Sequence, residues 1–152
     1  MRIVPLLLAV GVACWAEDAF GTWMMNPARS SFAGDPRPKS ITLRIASHAK
    51  GEVFTLDRVD TDGRATTAST ILYFDGKGRD YEDDGCSGTQ SSRRLDSRTV
   101  EILRTCAGGA SIRFVRFSAG MKELVLEVRE QQADGRRVDR RLVLERQSGA
   151  SR

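Results

Sequence analysis

The chain has 152 residues, of which 40% are hydrophobic, and its formal net charge is +4. That length is sufficient for one domain with a proper hydrophobic core. The 20 acidic residues are interspersed among 24 basic ones, and no aromatic stacking platform accompanies the arginines. These features indicate a mixed solvated surface and exclude a nucleic-acid partner from the expected functions.

The first segment of the chain predicts export. After a short basic start, residues 3–13 form an uncharged apolar run with the length of a signal-peptide core, too short to span a bilayer. Cys14 and Ala16 are small residues in the two positions that a signal peptidase reads. We therefore expect a signal peptide over 1–16 and a single domain over 17–152, in a protein that is periplasmic or secreted.

An alternative interpretation makes Cys14 a lipid-modified N-terminus. The residue three positions earlier is Gly11, where a large aliphatic residue is the usual requirement for such a modification. Contact with a membrane is accordingly expected only if Cys14 is lipidated.

The rest of the chain predicts an all-β fold, because apolar and polar residues alternate with period two and no long stretch has a helical period. Turn sequences at 61–64, 74–78, 107–109 and 133–136 separate such runs. Consecutive antiparallel strands with short links close most simply into an up-and-down barrel of about 8 to 10 strands, with a two-sheet sandwich as the alternative. The predicted strands cover 20–25, 40–47, 52–60, 65–74, 79–82, 88–95, 98–106, 110–117, 121–132 and 136–146.

The first predicted strand contains Gly-Thr-Trp and is followed by Asn-Pro. Gly21 permits close approach of another backbone, and Trp23 is large enough to fill one end of a barrel. Asn26 and Pro27 have the residue types of a helix cap and of a first helical position. We therefore expect a short helical turn that covers an open end of the barrel.

Cys86 and Cys106 flank a predicted hairpin whose turn lies at 95–97. In a hairpin centred on Asp96 the two cysteines are equidistant from the turn and face each other at its open end, where a disulfide is geometrically plausible. Removal of Cys14 with the signal peptide leaves an even pair in an oxidising compartment. A Cys86–Cys106 disulfide is therefore predicted; the alternative of two reduced thiols requires the chain to stay in a reducing cytoplasm.

The last hairpin permits a prediction of register. A three-residue loop over 133–135, with Gly135 in the left-handed conformation, keeps the apolar faces of both strands together, whereas a two-residue loop mixes them. The same chemistry recurs at 61–64. The three-residue loop pairs Leu124 with Leu144, Leu126 with Leu142, and Val128 with Arg140.

A Gly-x-Trp on the first strand, a short turn, a meander and an arginine on the last strand resemble the lipocalin-like barrels. The wider pattern, GTWMMNPARSSF followed by PKSITLRI, resembles a group of small, exported, uncharacterised bacterial proteins with lipocalin-like barrels. The resemblance implies an architecture without an established ligand. It also implies a cation–π contact between Trp23 and one of Arg140, Arg141 and Arg146.

Three arginines extend the less polar faces of predicted strands: Arg58, Arg104 and Arg140. If the strands alternate in direction, all three lie toward one end of the barrel and Arg116 lies toward the other. Arginine holds carboxylate or phosphate bidentately, so these residues suit the head of an anionic amphiphile. In the alternative interpretation, they only mark where the strands emerge into water, and their aliphatic stems carry the charged groups to the solvent. The apolar cavity predicted for this ligand is lined by Phe54, Leu56, Ile102, Phe114, Leu126 and Leu142.

Two classes of function follow from these patterns. The first is a non-catalytic exported barrel that binds a small apolar or anionic amphipathic ligand. The alternative is a β module with a filled core that acts through its surface as a partner-binding or envelope protein, with no cavity but with an exposed apolar patch or free strand edge.

Neither an enzyme nor a cofactor is expected. His48, the only histidine, lies at a predicted hairpin bend without an identifiable carboxylate and nucleophile to complete a relay. The acidic run at 80–84 lacks the spaced ligands of an EF-hand loop, so we expect a solvated loop and no metal site.

Overall fold

The computed structural model of the protein describes residues 19–83 and 85–148; the predicted signal peptide, its cleavage site and Cys14 lie outside these ranges. Ten antiparallel strands form one sheet in the spatial order β4-β3-β2-β1-β10-β9-β8-β7-β6-β5. The strands are β1 (Gly21–Met25), β2 (Ser40–His48), β3 (Gly51–Val59), β4 (Ala65–Leu72), β5 (Arg79–Asp83), β6 (Cys86–Arg94), β7 (Thr99–Cys106), β8 (Ser111–Ser118), β9 (Glu123–Gln131) and β10 (Arg137–Arg146). Because β1 pairs with both β2 and β10, the sheet curls into a nearly closed barrel. The up-and-down barrel is confirmed, and the sandwich alternative is wrong.

Each predicted strand corresponds to an observed one, and the boundaries differ by a few residues at most. One difference of two residues is in β4, which stops at Leu72 although the predicted strand continues to Phe74. Phe74 has a φ of 56°, a left-handed conformation that is uncommon outside glycine and incompatible with a strand. The chain therefore leaves the sheet two residues before its apolar pattern ends.

The turn after β1 is a 3-10 helix over Pro27–Arg29, as predicted. The Asn26 side chain caps it by accepting hydrogen bonds from the backbone N–H groups of Ala28 and Arg29. The helix itself buries no residue. Phe32, which follows it, is 7% exposed and belongs to the core, so the apolar cover is supplied by Phe32 rather than by the helix.

The register of the last hairpin is confirmed. Gln132 donates its backbone N–H to the carbonyl oxygen of Arg136 at 2.7 Å, which leaves the three residues 133–135 in the loop. Gly135 has a φ of 88°, which glycine adopts without steric cost. Each pair predicted between β9 and β10 is observed, including Val128 opposite Arg140. The β3–β4 turn repeats the arrangement, with Gly63 also at a φ of 88°.

The Cys86–Cys106 disulfide is confirmed, but the predicted register around it is wrong. Arg94 pairs with Val100, so the hairpin is centred one residue later than Asp96, and Cys106 lies opposite Gly88 instead of opposite Cys86. The two Cα atoms of the disulfide are nevertheless 5.0 Å apart. Close strand approach accommodates this diagonal bridge, since a Cβ built on Gly88 would lie 1.9 Å from the carbonyl oxygen of Thr105.

Removal of the disulfide is expected to lower the free energy of unfolding by about 3 kcal/mol, because a cross-link over roughly 20 residues restricts the unfolded chain by that amount. The sequence separation of the two cysteines is 20. Urea unfolding of the Cys86→Ala/Cys106→Ala variant, compared with the oxidised protein, measures the loss. An equal unfolding midpoint in both proteins would contradict this expectation.

The main core cluster consists of apolar side chains that point into the barrel, and a smaller cluster contains Tyr81, Cys86 and Cys106. Trp23, Ile45, Leu72 and Leu124 lie toward one end, which we call the Trp23 end, and Ile41 and Arg58 lie toward the other, the Arg58 end. The alternation of buried and exposed residues along the strands produces this arrangement, because successive side chains of a strand point to opposite faces.

Trp23 occupies the barrel interior at the Trp23 end with no exposed surface. Its ring nitrogen donates a hydrogen bond to the carbonyl oxygen of Ala19 at 2.9 Å, which satisfies its one polar group. The guanidinium of Arg146 stacks on the ring at 4.3 Å from the centroid, so the cation–π contact implied by the resemblance is made by Arg146. Gly21 has a φ of 131°, which residues with a side chain rarely adopt. The atom nearest to a Cβ built there is Nη1 of Arg146 at 3.1 Å, so a side chain approaches this glycine instead of the predicted backbone.

Candidate ligand-binding cleft

The barrel is interrupted between β4 and β5. Within the described part of the chain, no ladder of hydrogen bonds joins these two strands. A solvent-open cleft of about 780 Å³ lies beside the gap, toward the Arg58 end, and we call it the β4–β5 cleft. It is lined by Leu56, Arg58, Arg64, Ala65, Thr66, Thr67, Ala68, Ser69, Tyr81, Glu82, Asp83, Gly85, Ile112 and Glu130.

A chain of side-chain hydrogen bonds crosses the gap inside the barrel. Arg104 on β7 donates Nε–H to Oε1 of Gln90 on β6, and Gln90 donates Nε2–H to Oγ1 of Thr70 on β4; both donor–acceptor distances are 2.9 Å. The guanidinium of Arg104 is sandwiched between the rings of Tyr81 and Phe114, at 4.1 and 4.6 Å from their centroids. This chain links β4 to the other side of the gap without backbone pairing.

Tyr81 and Asp83 form the β5 side of the cleft. The hydroxyl of Tyr81 donates to Oδ2 of Asp83 at 2.5 Å, and Asp83 also accepts from the backbone N–H groups of Gly85 and Cys86. Burial and then the hydrogen bond to Asp83 raise the pKa of Tyr81. Burial acts to raise the pKa of Asp83, but the donated hydrogen bonds outweigh it and hold that pKa below its ordinary value. At neutral pH the pair is therefore a neutral phenol and a carboxylate.

The three predicted headgroup arginines lie toward the same end of the barrel, and Arg116 lies toward the other. Each of the three has a carboxylate partner: Asp60 is 2.5 Å from Arg58, Asp83 is 3.6 Å from Arg104, and Asp35 and Glu130 are 2.5 and 3.0 Å from Arg140. Of the three, Arg58 alone lines the β4–β5 cleft. Arg140 also lies beside Arg58 in a second groove of about 320 Å³ that Phe32 and Asp35 border.

The predicted apolar lining residues are divided between the core and the cleft. Leu56 is partly buried and lines the β4–β5 cleft. The other five pack in the core cluster, with exposed fractions between 0% and 9%: Phe54, Ile102, Phe114, Leu126 and Leu142. Contact of any of these side chains with a ligand stays a prediction.

Two features of the interior were not anticipated from the sequence. The first is the acidic side of the cleft, because the run at 80–84 was interpreted as a solvated loop. The second is a buried ion pair at the Trp23 end, in which Nη2 of Arg116 lies 2.8 Å from Oε2 of Glu52, with side chains 3% and 1% exposed. The alternation of side chains along a strand could have indicated both features. Tyr81 and Asp83 lie on the same face of β5, and Glu52 lies on the same face of β3 as the buried Phe54.

The buried pair belongs to a cationic cluster. Arg94 lies 3.6 Å from Oε1 of Glu52 and stacks on Phe74 at 4.2 Å from the ring centroid. Nη1 of Arg116 is buried without a hydrogen-bond partner among the described residues. Burial lowers the pKa of Arg116, and Glu52 opposes that change. The ion pair links β3 to β8 on opposite walls of the barrel, and in this sense it braces the two walls against each other.

His48 makes a local contact within its own hairpin bend. His48 ends β2, and its Nδ1 accepts a hydrogen bond from the backbone N–H of Lys50. Across residues 19–83 and 85–148, no group of three or more His, Cys, Asp and Glu side chains is placed to hold a metal ion. No helix among the same residues has the length and apolar character needed to cross a membrane.

No protein-family model and no curated protein matches the chain. Its fold is similar to that of a fatty acid binding protein from Schistosoma mansoni in complex with arachidonic acid, with a TM-score of 0.61 and 13% sequence identity. It is also similar to As-p18, an extracellular fatty acid binding protein, with a TM-score of 0.58 and 13% identity. Both matches cover 88% of this chain and 99% of the other. This likeness concerns the fold, an antiparallel up-and-down β-barrel that is nearly closed.

Proposed function

We propose that the protein is an exported, non-catalytic barrel that binds a small apolar or amphipathic molecule in the β4–β5 cleft. The observation that carries this proposal is the cleft itself. Its volume of about 780 Å³ lies within the roughly 300–1,000 Å³ that is typical of ligand pockets. Leu56, Ala68 and Ile112 give it apolar walls, and charged side chains stand at its rim, as an amphipathic ligand requires.

Two independent features support export. Residues 3–13 have the composition of a signal-peptide core. The Cys86–Cys106 disulfide suits an oxidising compartment, since such bonds are rare in the reducing cytoplasm. The ligand would accordingly be bound in the periplasm or outside the cell.

Arg58 is the headgroup contact that the cleft favours for a carboxylate or phosphate. Its side chain is 45% exposed at the rim, where its partner Asp60 is 33% exposed. An exposed pair of this kind contributes little to stability, so a ligand anion can replace Asp60 at a small cost. Arg104 is less available, because its side chain is 9% exposed and is already held by Gln90 and Asp83.

The experiment that tests the proposal fills the cleft. The side chain of Ala68 points into the barrel from β4 and lines the cleft, so Ala68→Phe is expected to weaken binding of a lauryl-chain amphiphile at least about tenfold by occupying the space of its tail. Ala46→Phe is the matched control, because Ala46 is exposed on the outside of β2. Fluorescence titration with the amphiphile measures both affinities.

Native mass spectrometry of protein purified gently from the exported fraction then identifies the natural ligand. Equal affinity of Ala68→Phe and the unaltered protein for the amphiphile would show that the ligand does not bind in the cleft. A clean apo mass together with no uptake of any amphiphile would overturn the proposal.

The packing of the core favours one alternative. Five of the six predicted lining residues belong to the core cluster, as expected of a barrel that acts through its surface. The strand edges of β4 and β5 would then be the surface features that a partner protein contacts. Failure of all amphiphiles to bind, with the protein folded, would favour this second function.

A further inference from the structure

The β4–β5 cleft carries opposite charges on its two sides. Arg58 and Arg64 lie on the side formed by β3 and the β3–β4 turn, whereas Glu82 and Asp83 lie on the β5 side. Glu130 adds a third carboxylate from β9. The two strands that carry these sides, β4 and β5, are the ones that lack backbone pairing with each other. A molecule in the gap is therefore in reach of both sets of charges.

The β5 side carries one carboxylate without a cationic partner among the described residues, that of Glu82, which is exposed. Asp83 has one cationic neighbour, Arg104, at 3.6 Å, and its hydrogen bonds from Tyr81 and two backbone N–H groups hold it as a carboxylate. Because side chains alternate along a strand, Glu82 points to the outer face of β5, opposite Tyr81 and Asp83. Glu82 therefore presents its negative charge at the outer rim of the cleft.

We propose that the cleft selects amphiphiles with a zwitterionic headgroup, in which the cationic group lies against Glu82 at the outer rim and the anionic group lies against Arg58. This inference rests on the proposed binding function and names its substrate class. A purely anionic head leaves Glu82 without a partner, and a purely cationic head leaves Arg58 with Asp60 alone. A head with both charges satisfies the two sides together, and charge complementarity of this kind determines selectivity more than total affinity.

The test compares four amphiphiles with one tail: laurate, dodecylphosphocholine, dodecyltrimethylammonium and dodecanol. Each is titrated below its critical micelle concentration by isothermal calorimetry against the full mature protein. We expect dodecylphosphocholine to bind about tenfold more tightly than laurate or dodecyltrimethylammonium. Dodecanol reports the contribution of the tail alone.

Two variants test which side of the cleft contacts each charge of the headgroup. Glu82→Gln is expected to weaken dodecylphosphocholine about fivefold while laurate binds no more weakly than before, because only the cation loses a partner. Arg58→Gln is expected to weaken dodecylphosphocholine and laurate alike. Glu127→Gln is the matched control, since Glu127 lies on the outer face of β9 and pairs with Arg141.

The outcomes of the titrations distinguish a failure of the zwitterion selectivity from a failure of the proposed binding function. Binding of laurate as tight as that of dodecylphosphocholine, with no effect of Glu82→Gln, overturns the zwitterion but leaves the lipid-binding barrel intact. Binding of dodecyltrimethylammonium as tight as that of dodecylphosphocholine also overturns it, because Arg58 then contributes nothing. Absence of binding by all four amphiphiles overturns both.

Discussion

Replacement of Arg116 by methionine is expected to lower the free energy of unfolding by about 3 to 5 kcal/mol, the usual cost of removing one partner from a buried ion pair. Glu52, 1% exposed, would lose the guanidinium 2.8 Å away and keep only Arg94 at 3.6 Å. A buried carboxylate without adequate compensation is strongly destabilising. Urea unfolding followed by circular dichroism measures the change.

The same reasoning predicts a partial recovery in the double variant Glu52→Leu/Arg116→Met. Both charges are then absent, and the desolvation cost that opposed their attraction disappears with them. The double variant is therefore expected to be more stable than Arg116→Met alone. Measurement of Glu52→Leu alone completes the double-mutant cycle and gives the coupling energy of the pair. Arg129→Met is the control, because Arg129 and Asp139 are both about half exposed and such pairs contribute about 0–1 kcal/mol. An Arg116→Met variant no less stable than this control would contradict a bracing role.

The positions of the strands were predictable because alternation and turn chemistry agree along most of the chain. The β9–β10 loop illustrates this, since Asp134 and Gly135 meet the requirements of a three-residue turn and only one register keeps Leu126 beside Leu142. The β6–β7 turn has no glycine to fix its type. Its centre was therefore placed one residue too early, and Cys86 was paired directly with Cys106 although Gly88 takes that place.

The cleft was less predictable than the strands that border it. It exists because β4 and β5 do not pair, and that depends on the path of the 73–78 connection, where Phe74 adopts a left-handed conformation. A phenylalanine gives no indication of such a conformation in a sequence, whereas the glycine at 135 does. The Glu52–Arg116 pair joins residues 64 positions apart in the sequence, so its partners could be inferred only after the register of every strand between them was known.

Trp23→Ala is expected to lower the free energy of unfolding by about 3 to 5 kcal/mol, the usual cost of truncating a buried large aromatic residue. The variant removes a fully buried ring, its hydrogen bond to Ala19 and its stacking on Arg146. Trp23→Phe keeps an aromatic face for Arg146 and is expected to be intermediate. Met24→Ala is the control, because Met24 is 41% exposed and points to the other face of β1.

The position of Trp23 makes this variant informative about binding as well as stability. Trp23 is absent from the lining of the β4–β5 cleft and contributes to the Trp23 end of the core, whereas Ala68 lines the cleft. Trp23→Phe is therefore expected to lose stability while it keeps its affinity for dodecylphosphocholine at temperatures where it is folded. Ala68→Phe is expected to keep its stability and lose affinity for dodecylphosphocholine, because it fills the cleft and leaves the core cluster unchanged. Loss of affinity in folded Trp23→Phe would place the ligand deeper in the barrel, in contact with the core.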